Sequence, residues 1–212
     1  MNPLLCDIFE CRPPVRMLTV KASESEVKIQ TQFKIKYVEI EDFLSNEHYT
    51  LIKNLGDVAQ QKWENGENGK ISKNKILKNK VVSHYNLLTK EQIIDFYETY
   101  NERLLKILQE LAPEKVKDVK SMDLNIVYSP PGFVFPIHND LSSKLLSVVI
   151  YISPEHNYGT FLYNNEQGEK RVEVDWKQNK AFIFSRNDHS WHSYESSNLS
   201  GRLTLVINIC NN

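Results

Sequence analysis

The sequence predicts a mainly β (α+β) protein, a jelly roll or double-stranded β-helix of about eight strands with helices packed on one side. Two observations carry that reading. After residue 120 the chain becomes a series of short apolar runs separated by turn segments such as "PEHNYG" and "KQN", the pattern of an antiparallel sandwich or barrel. Before residue 120 helical signals mix with a few short strands, which gives the sheets helices to pack against on one flank. At 212 residues the chain fits one domain with a core that needs no staples. Within it, residues 1–120 read as a helical and strand support region and residues 121–212 as the jelly-roll core.

In chain order, the opening "MNPLLCDIFECRPP" has no basic segment, and Asp7 and Glu10 interrupt its apolar runs, so no signal peptide is expected. "EVKIQTQFKIKYVEI" alternates at Val27, Ile29, Phe33 and Ile35 and predicts edge strands. A helix is expected after Ser45, over "NEHYTLIKNLGDVAQQKW". "ENGENGKISKNKILKNK" follows, with two Asn-Gly pairs and the lysines Lys70, Lys73, Lys75, Lys78 and Lys80. Its expected form is a solvated loop or a lysine-guarded edge strand, with phosphate contact as the alternative. Thr89 and Gln92 form a capping box for a second helix. Its apolar stripe is Ile93, Tyr97, Tyr100, Leu104, Ile107 and Leu111, and Pro113 ends it. The eight strands are "DLNIVYS", "VFPIHND", "LLSVVIYIS", "GTFLYN", "RVEVDW", "KAFIFS", "SWHSYE" and "RLTLVINIC".

Composition excludes several classes. A formal net charge of −1 gives no overall electrostatic footprint for nucleic acid or a membrane surface. No apolar run approaches the roughly 18 residues that span a bilayer. Cys6, Cys11 and Cys210 are few and odd in number, as in a thiol-containing cytoplasmic protein. Cys6 and Cys11 can pair where the compartment allows it, but no second pair or nearby histidine completes a zinc site.

Chemistry is concentrated in "FPIHNDLSS", where a histidine and a carboxylate interrupt an apolar strand. Strand alternation puts His138 and Asp140 on one face and Ile137 and Asn139 on the other, so the first two can be two arms of a metal site. Of the other histidines, His48 falls in a predicted helix and His156 in a turn, both expected at the surface, while His84 has no acidic neighbour. His189 and His192, in "RNDHSWHSYE", are the candidates for a third arm. The last strand then carries Arg202, Thr204 and Val206 on one face and Leu203, Leu205 and Ile207 on the other. A charged residue there needs an anionic partner.

Taken together, Tyr128, His138-Asn139-Asp140, Tyr151-Ile152-Ser153, Tyr158-Gly159-Thr160-Phe161, Trp191-His192 and Arg202 resemble, in order and spacing, the Fe(II)- and 2-oxoglutarate-dependent oxygenases. The likeness is greatest to the prolyl 4-hydroxylase-like branch and covers residues 123 to 209. The branch's Gly-Gly is reduced here to Gly159, and Ser153 stands for its Asn. The resemblance implies His138, Asp140 and His192 as catalytic Fe(II) ligands, with the Trp-His-Ser pattern and the distance to Arg202 favouring His192 over His189. Zinc or manganese would suit the same donors. It implies that Arg202 grips the distal carboxylate of 2-oxoglutarate, helped by Thr204, and that Tyr128 and Tyr151 contact this cosubstrate.

The implied reaction uses O2 to hydroxylate an unactivated C–H bond, with succinate and CO2 as coproducts. Its substrate would be peptidyl-prolyl, a free amino acid or a small metabolite. Asp140 argues against halogenation, since halide would need its position. Two alternatives stand beside this: a nucleic-acid demethylase of the same superfamily, which Asn208 disfavours because that branch has a second Arg there, and a non-catalytic metal- or ligand-binding jelly roll.

Overall fold

The computed structural model describes residues 28–66, 70–85 and 87–212. Cys6, Cys11 and the second Asn-Gly pair lie outside them. Two antiparallel sheets face each other, one of eight strands and one of four. All eight strands expected after residue 120 are present. They are β5 (Ser121–Ser129), β6 (Val134–His138), β7 (Lys144–Ser153), β8 (Thr160–Tyr163), β9 (Arg171–Val174), β10 (Ala181–Phe184), β11 (His192–Glu195) and β12 (Arg202–Cys210). The small sheet runs β6-β11-β8-β9.

Strands from the first half extend the large sheet at both sides. These are β1 (Gln30–Gln32), β2 (Ile35–Ile40), β3 (Lys70–Leu77) and β4 (Lys80–Tyr85), giving the order β1-β2-β10-β7-β12-β5-β3-β4. Only β1 of the first pair is an edge, because β2 hydrogen-bonds β10 as well. The lysine-rich segment is a hairpin, and β3 pairs with both β4 and β5. Lys78 and Asn79 turn it with positive φ values of 49° and 59°, the backbone that a tight two-residue hairpin loop requires.

Three helices cover the other face of the large sheet: α1 (Asn46–Asn54), α2 (Gly56–Glu64) and α3 (Lys90–Leu111). The expected continuous helix after Ser45 is therefore two. Leu55 closes α1 with an i→i−3 bond from its N–H to Ile52 O, and Gly56, a poor helix former, allows the chain to restart in a new direction. Helix α3 carries the complete Thr89–Gln92 capping box. Its Ile93, Phe96, Leu104 and Leu108 pack against Leu124, Ile126, Leu205 and Ile207 of the sheet in one core. A smaller core between the sheets holds Ile35, Tyr37, Tyr151, Leu162, Phe182 and Phe184.

His48 is not at the surface as expected. It is 6% exposed and stacks on Phe96. Its Nδ1 lies 2.9 Å from Tyr100 Oη and its Nε2 2.8 Å from Asp95 Oδ2. The helix turns this residue inward, and α3 supplies the polar partners that make burial tolerable. His84 and His156 are exposed. Among the described residues no helix is long and apolar enough to cross a membrane.

Candidate metal centre and its pocket

The strand pairing that closes the small sheet also builds the centre. His192 of β11 lies opposite His138 of β6, and their rings sit 4.2 Å apart. Strand β6 ends at His138, so Asp140 is presented from the turn beyond it rather than from the strand. One donor atom each from His138, Asp140 and His192 fall within 4.8 Å of one another. His189 is exposed and outside this group.

Hydrogen bonds fix how the three are presented. His138 Nδ1 is 3.0 Å from Pro136 O, and His192 Nδ1 is 2.8 Å from Ser190 O. A carbonyl can only accept, so both Nδ1 atoms carry the proton and both Nε2 lone pairs are free for a cation. Asp140 accepts from Lys144 Nζ at 2.5 Å and from Ser147 Oγ at 2.7 Å.

Protonation suits a cation as well. Burial lowers the His192 pKa to about 4, against the opposing pull of Asp140, so the ring is neutral at neutral pH. Burial alone would raise Asp140, but its charged and hydrogen-bonding neighbours hold it below the usual carboxylate range. With His192 neutral, the Lys144 ammonium and the Ser147 hydroxyl are the groups that do so. Two imidazoles and one ionised carboxylate form a facial donor set that leaves other coordination positions open.

The centre lines a pocket of about 760 Å³ between the sheets. Arg202 enters it from β12, 2% exposed. The Tyr194, Trp176 and Tyr151 rings surround its guanidinium at 4.5, 5.3 and 5.6 Å. Arg202 Nε and Nη2 have no hydrogen-bond partner. Buried N–H groups of a cation left without an acceptor are costly, and a carboxylate would satisfy both in one fork.

Of the residues singled out in the sequence, Arg202, Thr204 and Tyr128 line the pocket with the metal donors, whereas Tyr151 lies behind its lining. Thr204 lines the pocket on the Arg202 face and pairs with Tyr151. Tyr151 is fully buried and donates to Thr160 Oγ1 at 3.0 Å. Burial pushes its hydroxyl to about 12. Tyr128 pairs with Leu203 and joins the helix-side core, and it also lines the pocket. Tyr194, Trp176 and Lys144 were not singled out in the sequence. Tyr194 had a signal, being two residues past His192, whereas Trp176 and Lys144 reach the site only through tertiary placement.

Gly159, the remaining glycine of the expected pair, is explained by proximity. A Cβ there would lie 1.7 Å from Val174 O, so no side chain fits where β9 crosses it.

No protein-family model matches the chain, and no curated protein matches it. Solved structures do. A prolyl-4-hydroxylase from Pseudomonas putida superposes with a TM-score of 0.56 at 15% identity, covering 83% of this chain and 92% of that one. A viral collagen prolyl hydroxylase from Paramecium Bursaria Chlorella virus-1, in its 2OG complex, gives 0.52 at 12%, covering 83% and 96%. A rice dioxygenase for auxin oxidation gives 0.53 at 11%, covering 82% and 73%. At these identities the shared property is the fold, and it is the jelly roll the sequence led us to expect.

Proposed function

We propose that the protein is a cytoplasmic Fe(II)- and 2-oxoglutarate-dependent dioxygenase that hydroxylates an unactivated C–H bond of a peptidyl-prolyl, amino-acid or small-metabolite substrate. The observation that carries this reading is a pairing within one pocket. A two-histidine, one-carboxylate donor set faces the same space as a buried arginine whose Nε and Nη2 have no acceptor. The donor chemistry suits Fe(II), and the guanidinium suits the distal carboxylate of 2-oxoglutarate. The structural neighbours, two prolyl hydroxylases and a dioxygenase, support it.

His138, Asp140 and His192 would hold the metal. Arg202 and Thr204 would hold the cosubstrate, and Tyr151 would brace Arg202 rather than grip the ligand directly. When bound, iron and 2-oxoglutarate supply, with O2, an oxidation that yields succinate and CO2 alongside the hydroxylated product. The chain's own part is positioning and exclusion of water: Tyr194, Trp176 and Tyr151 wall the arginine, and Phe184 packs on His192 at 4.9 Å.

The test is spectroscopic. Anaerobic Fe(II)-loaded protein receiving 2-oxoglutarate should develop a weak visible charge-transfer band. His138→Ala should abolish it, and Arg202→Ala should require far more cosubstrate. A well-folded, iron-loaded wild type without the band would overturn the assignment and favour a non-catalytic binding protein.

A further inference from the structure

The pocket extends well past the Arg202 end. Strand register sets out its floor in rows across the large sheet. One row runs Lys73 (β3), Asn125 (β5), Val206 (β12) and Val149 (β7). The next places Asn208 (β12) between Asp123 (β5) and Ser147 (β7), the residue that holds Asp140. Arg202 and Asn208 are six residues apart on one strand, about 20 Å at the usual strand rise. The row that holds Asp140 is thus the Asn208 row, and the Lys73–Asn125 row lies between it and Arg202 along the strands. Lys73, Asn125 and Asn208 all line the pocket.

Asn208 is 4% exposed, and its Oδ1 has no hydrogen-bond partner. A buried amide oxygen in that state marks a place for a donor. Lys73 belongs to the lysine run that read as solvated, yet the β3–β5 register carries it to the pocket mouth, where it is exposed but directed over the same floor. Charge and hydrogen-bonding capacity there comprise an ammonium, two amides, one amide oxygen without a donor, and the Asp123 carboxylate next to Asn208 in the register. The pocket also has apolar lining, with Trp63 and Phe133 in edge contact at 6.2 Å.

We propose that Lys73, Asn125 and Asn208 form the primary-substrate subsite, and that the substrate is a small α-amino acid bound as its free zwitterion. This rests on the oxygenase reading above. The carboxylate is met by the Lys73 ammonium and the amide N–H groups, and the ammonium donates to Asn208 Oδ1. The side chain lies along Val149 and Val206 towards the metal donors. A volume of about 760 Å³ accommodates the cosubstrate and one such molecule. A prolyl residue inside a peptide has neither charge to offer here.

The experiment uses Zn(II)- and 2-oxoglutarate-loaded protein and follows tryptophan fluorescence, to which Trp63 contributes. The probes are the twenty L-α-amino acids as free acids, the same set as α-carboxamides, and the neutral peptide N-acetyl-glycyl-prolyl-glycinamide. At least one free acid should bind saturably and about tenfold or more tightly than its carboxamide. Lys73→Gln should collapse that ratio, Lys73→Arg should restore it, and Lys78→Gln, at the hairpin turn, should leave it alone. The selected acid should also raise succinate formation by the iron-loaded enzyme. Equal binding of acid and carboxamide, tighter binding of the neutral peptide, or an unchanged ratio in Lys73→Gln would overturn the subsite. So would failure of every acid to bind protein that shows the charge-transfer band. Absence of that band overturns the oxygenase reading itself, and the subsite with it.

Discussion

Replacing Arg202 by methionine separates what the guanidinium does for a ligand from what it does for the fold. The wild-type side chain is 2% exposed, with Nε and Nη2 unpartnered and three aromatic rings around it. Each unpartnered buried donor costs about 1–3 kcal/mol, while each desolvated cation–ring contact returns about 1–2 kcal/mol. These nearly cancel. The ligand-free Arg202→Met protein should therefore keep its stability within about 2 kcal/mol, a Tm change below about 8 °C for a chain of this size.

Cosubstrate binding should respond very differently. Two charge-assisted hydrogen bonds at about 1.5–3 kcal/mol each amount to roughly 3–6 kcal/mol, or about 10²–10⁴-fold in Kd. Differential scanning fluorimetry of Zn(II)-loaded protein measures both effects. At a 2-oxoglutarate concentration of about 100 Kd, wild type should gain about 2.7 kcal/mol, and the variant less than about 0.5 kcal/mol at the same concentration. Equal thermal shifts would refute the carboxylate role. A ligand-free variant destabilised by more than about 5 kcal/mol would refute the balance of costs around the guanidinium.

Three further outcomes follow from the same contacts. Gly159→Ala should lower stability by about 3 kcal/mol or more, because its Cβ would meet Val174 O at 1.7 Å, whereas Gly56→Ala, with Leu203 Cδ2 at 3.4 Å, should change it by less than about 1 kcal/mol; thermal melts compare them. His48→Leu should cost about 2 kcal/mol in urea titration through its bonds to Tyr100 and Asp95, while leaving 2-oxoglutarate binding unaffected on the far side of the sheet. Burial raises the Cys210 thiol to about 12, so the thiolate is negligible at pH 8 and iodoacetamide should label this residue only after unfolding, as peptide mass spectrometry would reveal.

What the sequence made legible depended on the range over which each signal acts. Alternation and turn residues are local, so all eight late strands could be read directly, and the Thr89 capping box marked the start of α3. The convergence of His138, Asp140 and His192 could be anticipated through the family resemblance, since strand alternation paired only the first two and left His189 and His192 as candidates for the third. Long-range placement was not legible. The break at Leu55 lies inside a segment with helical propensity on both sides. The burial of His48 depends on partners some fifty residues away. The role of the lysine run was hidden because the pairing of β3 with β5, rather than composition, decides which lysine reaches the pocket.

Strand β12 writes two messages in alternate letters. Arg202, Thr204, Val206 and Asn208 face the pocket, while Leu203, Leu205, Ile207 and Ile209 form the helix-side core. A slip of one residue would exchange the two sets, sending an arginine into hydrocarbon and leucines into the site. Such an error cannot yield a stable but inactive molecule, because the mistake that silences the chemistry also dissolves the core. Misassembled copies would thus expose themselves to proteolysis, and selection on solubility alone would guard the alignment of the pocket face.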